Sequence, residues 1–226
     1  MVYDGIGMVQ MDAFLIWGKR VTRNRSDLKA AVVLICSTLV LVASHYHTLF
    51  GDATLSSLVF YFVVPLIIVV FVFREDPRLY GLRLRDWKKG ALFSVGGIVL
   101  MAVVIAGLSQ LEEFNSYYRM TVFEERSLRE MAEFAVRSAV YMFSWEFIFR
   151  GFMLFGLKDR FGSLAIWIQA IPFAIMHLGK PELETLSTVF GGAAFGYIDL
   201  ESRSVFPSVV IHWAISLMMV FAASSG

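Results

Sequence analysis

The sequence contains few cysteines and few charged residues. Its 1 cysteine, Cys36, excludes an intrachain disulfide and a cysteine-rich metal site. Asp, Glu, Lys and Arg make up only 17% of the 226 residues, and the formal net charge of +1 gives no indication of a nucleic-acid partner. No repeat, low-complexity tract or linker interrupts the chain, so residues 1–226 are predicted to form a single domain.

Apolar residues are abundant instead. They account for 58% of the chain, including 21 Phe, and the mean hydropathy is +0.67. Soluble domains typically contain about 45–50% apolar residues. The composition therefore predicts an integral membrane protein whose surroundings are the lipid bilayer.

Segments long and apolar enough to cross a bilayer recur along the chain and predict an all-α, polytopic helical bundle. The sixth segment is short, and its Gly192 and Gly196 would let a neighbouring helix approach closely. Residues 1–17 contain Asp4 and Asp12 with no basic region ahead of them, which favours an extra N-terminal interfacial helix over a signal peptide. The seven predicted spans are residues 28–44, 54–73, 90–111, 131–157, 161–179, 184–198 and 205–223.

The basic residues predict how these spans are oriented, because Lys and Arg near span ends favour the cytoplasm. They cluster at 19–29 and 74–89 and recur at 158–160 and at Arg203, whereas the loop after the first span has none. A multi-pass protein with a cytoplasmic N-terminus and a C-terminus on the outer side satisfies this pattern.

Apart from the span ends, few charged or imidazole side chains lie inside the predicted spans, and all of them fall in the second half of the chain. Such groups are costly in lipid and usually face a protein-lined cavity. Glu146 and Arg150 stand four positions apart and share one helical face, which by itself is equally consistent with a structural ion pair. His177 and His212 add one imidazole from each of two further spans, and Arg137 completes the set.

One carboxylate and two imidazoles admit more than one chemistry. Glu146 could act as general base towards water while a histidine donates to the developing oxyanion. Zinc ligation by the same groups ranks lower, because the sequence lacks an HExxH helix, and no cofactor is expected. Ser216, one turn beyond His212, leaves open a weaker serine mechanism or a hydrogen bond to the backbone. A transporter proton relay is a further alternative, although no inverted repeat is visible.

Three motifs in order on separate predicted spans resemble the CPBP family, which includes CAAX prenyl proteases and bacteriocin-processing or Abi-type proteases. They are ExxxR at Glu146 and Arg150, FxxxH at Phe173 and His177, and a histidine in the last span, His212. The resemblance covers residues 131–223 and marks them as the catalytic half. It implies a metal-independent intramembrane glutamic endopeptidase in which the glutamate activates water, Arg150 orients it, and the two histidines complete the site.

The same resemblance implies that the substrate is a membrane-associated protein or peptide, and a bacterial cell membrane is the expected location. Two positions depart from the family motifs. The first of two adjacent glutamates, generally credited with activating water, is replaced by Trp145, and an asparagine after the last histidine is replaced by Ser216. Either Glu146 takes over as base, or the chain is a catalytically silent adaptor in which Trp145 fills the vacated space. Retention of Arg150 and both histidines in lipid favours the enzyme.

Overall fold

The computed structural model describes residues 25–119 and 127–223, and within them the chain forms 8 helices and no β-strand. The predicted all-α membrane bundle is therefore confirmed, whereas the predicted N-terminal interfacial helix lies outside the described residues. The helices are α1 (Arg25–Tyr46), α2 (Ala53–Phe73), α3 (Trp87–Leu108), α4 (Glu112–Arg119), α5 (Leu128–Phe161), α6 (Leu164–Ile175), α7 (Glu182–Ser202) and α8 (Phe206–Ala223).

Helices α1, α2, α3 and α5 are long and apolar enough to cross a membrane, and they coincide with the first four predicted spans. The seventh predicted span also corresponds to a helix, α8, whereas the fifth and sixth differ from expectation. Helix α6 has only 12 residues, and the chain turns beyond it at Gly179, whose φ of +94° suits glycine. Helix α7 has acidic residues in its first turn and a buried Asp199 near its end, so it is less apolar than a typical span.

The described parts of the basic segments that were predicted to share one side of the membrane lie at one end of the bundle. Ion pairs join the start of α1 to the segment after α2 and to the end of α5, and join the start of α3 to the end of α7. A pair between Arg137 and Asp52 at 2.9 Å ties the α1–α2 connection to the first half of α5. The pairs at the basic end are Lys29–Glu75, Arg160–Asp27, Lys89–Glu201 and Arg203–Asp86. The compartment that each end faces stays a prediction.

Helix α5 is the most enclosed of the long helices. It begins with a capping box, in which the Ser127 hydroxyl accepts from the Glu130 backbone N–H and the Glu130 carboxylate accepts from the Ser127 backbone N–H. Every residue of Phe147–Leu154 is buried, and the backbone there is π-helical. Segments of π-helix are frequent at functional sites. The core therefore surrounds the part of α5 that carries the ExxxR motif.

Two glycines of α7 allow it to lie directly against α6, as the sequence predicts. A Cβ added to Gly192 would meet Phe173 Cδ1 at 2.9 Å, and one added to Gly196 would meet Gln169 Nε2 at 2.9 Å. This contact exposes the Gly192 carbonyl to α6, where the Gln169 amide donates to it at 2.8 Å.

Helix α3 forms part of the outer surface, consistent with contact to lipid acyl chains. Helix α4 packs beside it and buries Phe114 and Tyr118 against Ile105 of α3 and Met219 of α8. The apolar side chains that α3 exposes include Leu92, Val95, Val99, Leu100 and Val103.

Candidate active site

Glu146 lies in the interior of the bundle with none of its surface exposed. Its Oε1 accepts a hydrogen bond from Nδ1 of His212 on α8 at 2.5 Å. Arg150, one turn further along α5, donates from Nη1 to the same oxygen at 3.3 Å. The other oxygen, Oε2, lies 3.1 Å from Arg150 Nη1 but makes no aligned hydrogen bond, so this second contact is electrostatic. The carboxylate is thus held between one imidazole and one guanidinium.

Arg150 is also fully buried, and aromatic rings enclose its guanidinium group. Its Cζ lies 4.0 Å from the ring centre of Phe173 on α6 and 5.2 Å from that of Phe195 on α7. Such cation–π contacts strengthen when water is excluded. Nη2 donates to the Gly192 carbonyl at 3.5 Å. Arg150 therefore connects α5 with α6 and α7 and supplies positive charge beside Glu146.

His177 lies just beyond the end of α6, with its Nδ1 2.8 Å from the backbone oxygen of Phe173. Because a carbonyl oxygen only accepts, Nδ1 carries the proton, and Nε2 is the acceptor of the neutral ring. The His177 and His212 rings stack with centres 6.4 Å apart and planes inclined by 19°. Straight, full-length spans would separate these rings, but α6 ends at Ile175 and is too short to carry His177 across the bilayer.

Both imidazoles line a cavity of about 520 Å³ whose walls are mostly apolar. Helices α3, α4, α5, α7 and α8 contribute to it, and Phe173 and Ser216 also face it. Glu146 does not line this cavity, since its carboxylate is covered by His212 and Arg150. In each histidine Nδ1 is occupied by a protein acceptor, so Nε2 is the nitrogen left to interact with a ligand.

A second polar group lines the same cavity where α4 meets the start of α7. The Tyr118 hydroxyl donates to Glu184 at 2.8 Å, and Lys180 Nζ contacts the same carboxylate at 2.8 Å. Burial, with the nearby Glu184 carboxylate, raises the pKa of Tyr118, so its hydroxyl stays protonated. This cluster ties α4 to α7 at the cavity wall.

Trp145 occupies the position of the missing motif glutamate and is buried among aromatic rings. Its ring centre lies 5.4 Å from that of Tyr61, 5.7 Å from that of Tyr141 and 5.9 Å from that of His177. Its Nε1 makes no hydrogen bond to any described residue. Ser216, the other departure, lies on the cavity wall one turn from His212.

Asp199 and Ser208 form a buried pair beside this site that the sequence analysis missed. The Ser208 hydroxyl lies 2.5 Å from Asp199 Oδ2, and the Ser208 backbone N–H donates to Oδ1 at 3.3 Å. Asp199 interacts electrostatically with both Glu146 and Arg150. The predicted span, residues 184–198, ends one residue before Asp199, so this residue lay outside the predicted spans. Its position on the face of α7 that carries Gly192 and Gly196 was the available indication.

Comparison with known proteins agrees with the motifs. A search of curated proteins and a search of solved structures gave no match. Residues 127–218 match the family model described as type II CAAX prenyl endopeptidase Rce1-like. This stretch contains all four residues of the site, from Glu146 to His212. This match over residues 127–218 supports membership of the CPBP family.

Proposed function

We propose that the protein is an intramembrane endopeptidase that hydrolyses a peptide bond of a membrane-associated protein or peptide. The hydrogen bond of 2.5 Å between Glu146 and His212, at the wall of a largely apolar cavity, carries this proposal. A buried carboxylate on Nδ1 of an imidazole fixes the ring tautomer and stabilises the positive charge that the ring acquires as a general base.

In the proposed reaction, Nε2 of His212 takes a proton from water while Glu146 stabilises the imidazolium through Nδ1. The sequence and the family resemblance predict instead that Glu146 takes this proton itself. Glu146 is buried and contacts the His212 imidazole and the Arg150 guanidinium. This arrangement favours a role in which Glu146 acts through His212. His177 Nε2, as an acceptor, holds the second hydrogen of the same water, and the ring separation of 6.4 Å is compatible with one water between the two nitrogens.

The remaining steps follow from this geometry. The water oxygen attacks the substrate carbonyl carbon, and the carbonyl π electrons move to its oxygen. When the tetrahedral intermediate collapses, the C–N bond breaks, and His212 returns its proton to the leaving amine. The products are one carboxylic acid and one amine, with His212 neutral again. Arg150 acts as a positioning residue, because it contacts Glu146 and the walls of the site and does not line the cavity.

Among possible substrates, we favour a prenylated peptide that ends in a CAAX sequence, because the matched family is described as a CAAX prenyl endopeptidase. A mostly apolar cavity of about 520 Å³ suits an apolar chain in the substrate. We also propose that the reaction needs no metal. Within residues 25–119 and 127–223, no three His, Cys, Asp or Glu side chains are grouped so as to hold an ion.

The direct test uses purified protein in liposomes and an internally quenched peptide, prepared with and without the prenyl group. Cleavage at one bond, identified by mass spectrometry, is expected for the prenylated form and should persist in EDTA. Glu146→Gln should lower the rate by about 10⁴-fold, as the equivalent Asp to Asn change does in a serine-protease triad, since an amide favours the wrong imidazole tautomer.

Glu133→Gln is the matched control, because Glu133 is an exposed acid on the same helix. It should leave the rate unchanged. Wild-type rates in the Glu146→Gln protein would remove Glu146 from the mechanism. If the natural chain cleaves neither peptide but Trp145→Glu does, the protein is a silent relative of the family and the proposal is wrong.

A further inference from the structure

A second cavity, remote from His177 and His212, opens where the start of α3 meets the end of α7. Its volume is about 540 Å³. It lies at the end of the bundle where the basic segments gather. Its walls carry four basic side chains, Arg85, Lys88, Lys89 and Arg203.

This cavity keeps an excess of positive charge. The four basic residues face two acidic ones, which leaves a net charge of +2. Lys89 and Arg203 contact those acidic side chains across the cavity. Arg85 and Lys88 form no ion pair with any residue in the described ranges. Two cations are therefore available to an anionic ligand.

Arg203 ends α7 in a left-handed conformation with a φ of +55°. Glycine or asparagine usually occupies this helix-end position, because other residues pay a steric cost there. The side chain at this position contributes to the wall of the cationic cavity.

An apolar groove continues from the cationic cavity along the bundle. It has a volume of about 260 Å³, runs between α3 and α8, and shares Asp86 and Trp87 with the cationic cavity. Its surface is almost entirely apolar, with walls that include Leu84, Ala91 and Val210. Trp87 is 61% exposed at the boundary between the two cavities. The cationic cavity, Trp87 and the apolar groove thus lie in the same order as the anionic headgroup, the interfacial region and the acyl chain of a phospholipid.

We propose that this site binds one anionic phospholipid, with its phosphate in the cationic cavity and an acyl chain along the apolar groove. Basic residues close to a membrane surface attract anionic headgroups, and tryptophan prefers the headgroup level. The adjoining groove distinguishes a lipid from free phosphate, which would use the cationic cavity alone. The proposal is independent of peptidase activity, since neither cavity contains a residue of the candidate active site.

The test measures quenching of Trp87 in the full chain, solubilised in a neutral detergent, by phospholipids with brominated acyl chains. The Trp87 signal is the difference between the wild type and Trp87→Phe, because the chain has 5 tryptophans. Brominated phosphatidylglycerol should quench Trp87 along a saturating curve, and brominated phosphatidylcholine should do so only at much higher concentration.

The double variant Arg85→Gln/Lys88→Gln should bind phosphatidylglycerol about 30-fold more weakly, since each basic residue at a membrane surface contributes about fivefold. Arg74→Gln/Arg78→Gln is the matched control, because both residues lie in the same connection between α2 and α3 but outside the cavity. It should leave the curve unchanged. Circular dichroism verifies that both variants fold.

Equal quenching by the two lipids, or an unchanged curve in the Arg85 and Lys88 variant, would overturn the proposal. A third arm adds excess inorganic phosphate. If phosphate alone protects Lys88 from acylation while brominated chains never quench Trp87, the site takes free phosphate and not a lipid.

Discussion

Replacing Arg150 with methionine should destabilise the protein far more than the same replacement of Arg137 on the same helix. Methionine keeps a long, flexible apolar side chain and removes only the guanidinium. At position 150 that group is fully buried, lies 3.1 Å from a Glu146 oxygen and 4.0 Å from the Phe173 ring centre. Its loss leaves the Glu146 carboxylate buried beside a single imidazole.

The expected cost of Arg150→Met is about 3–5 kcal/mol, the usual penalty when one partner of a buried ion pair is removed. Arg137 pairs with Asp52, but 46% of its side chain is exposed, so water replaces the lost contact and the effect should be small. Adding Glu146→Gln to Arg150→Met should recover part of the loss, because the double variant no longer buries an uncompensated charge.

The 1 cysteine of the chain provides the assay. Cys36 is half-buried on α1, so a thiol-reactive fluorescent dye should report its exposure as detergent-solubilised protein is unfolded by heat or by SDS. Arg150→Met should unfold well before Arg137→Met, which should follow the wild type. Equal unfolding of the two arginine variants would refute the view that a compensated buried charge holds α5 to its neighbours.

Two further predictions concern packing and pH. Gly192→Ala should lower the unfolding free energy by about 1–3 kcal/mol, because the added Cβ would lie 2.9 Å from Phe173 Cδ1. Gly191→Ala is the control in the Cys36 unfolding assay, since a Cβ at position 191 would have no neighbouring atom within 4 Å. Partial burial raises the pKa of Glu75, but hydrogen bonds from Lys29 and Tyr80 outweigh it and hold that pKa below its usual range. The stability that this carboxylate contributes is thus present above the pKa of an ordinary glutamate and is lost as the pH falls through the lower pKa of the folded state. Glu75→Gln should therefore flatten the acid limb of a plot of stability against pH. An unchanged acid limb would contradict this assignment.

Hydropathy was sufficient to predict the first four spans, because each is a long apolar segment bounded by charged residues. It was insufficient for α6. Counting apolar residues joined that helix to the turn after it, since Ile175 and Leu178 are equally apolar, whereas the backbone turns at Gly179. A window average therefore lengthened the span by including residues that no longer belong to the helix.

The candidate site likewise contains one contact that the sequence predicts and one that it does not. Glu146 and Arg150 share a face because of local helix geometry, which spacing alone predicts. Asp199 and Ser208 meet because the last turn of α7 lies beside the first turn of α8. This tertiary contact leaves no periodic pattern in the sequence. The difference explains why the ion pair was found and its buried neighbour was not.

Trp145, which replaces the first motif glutamate, lies on a different face of α5 from Glu146. Successive residues of a helix are about 100° apart. Glu146 faces α8 through His212, whereas Trp145 packs on Tyr61 of α2 and on His177. Loss of a carboxylate at position 145 can therefore leave the contacts of Glu146 in place. It also removes one negative charge from beside His177, so a water between the two imidazoles would depend on His212 and Glu146 for the removal of its proton.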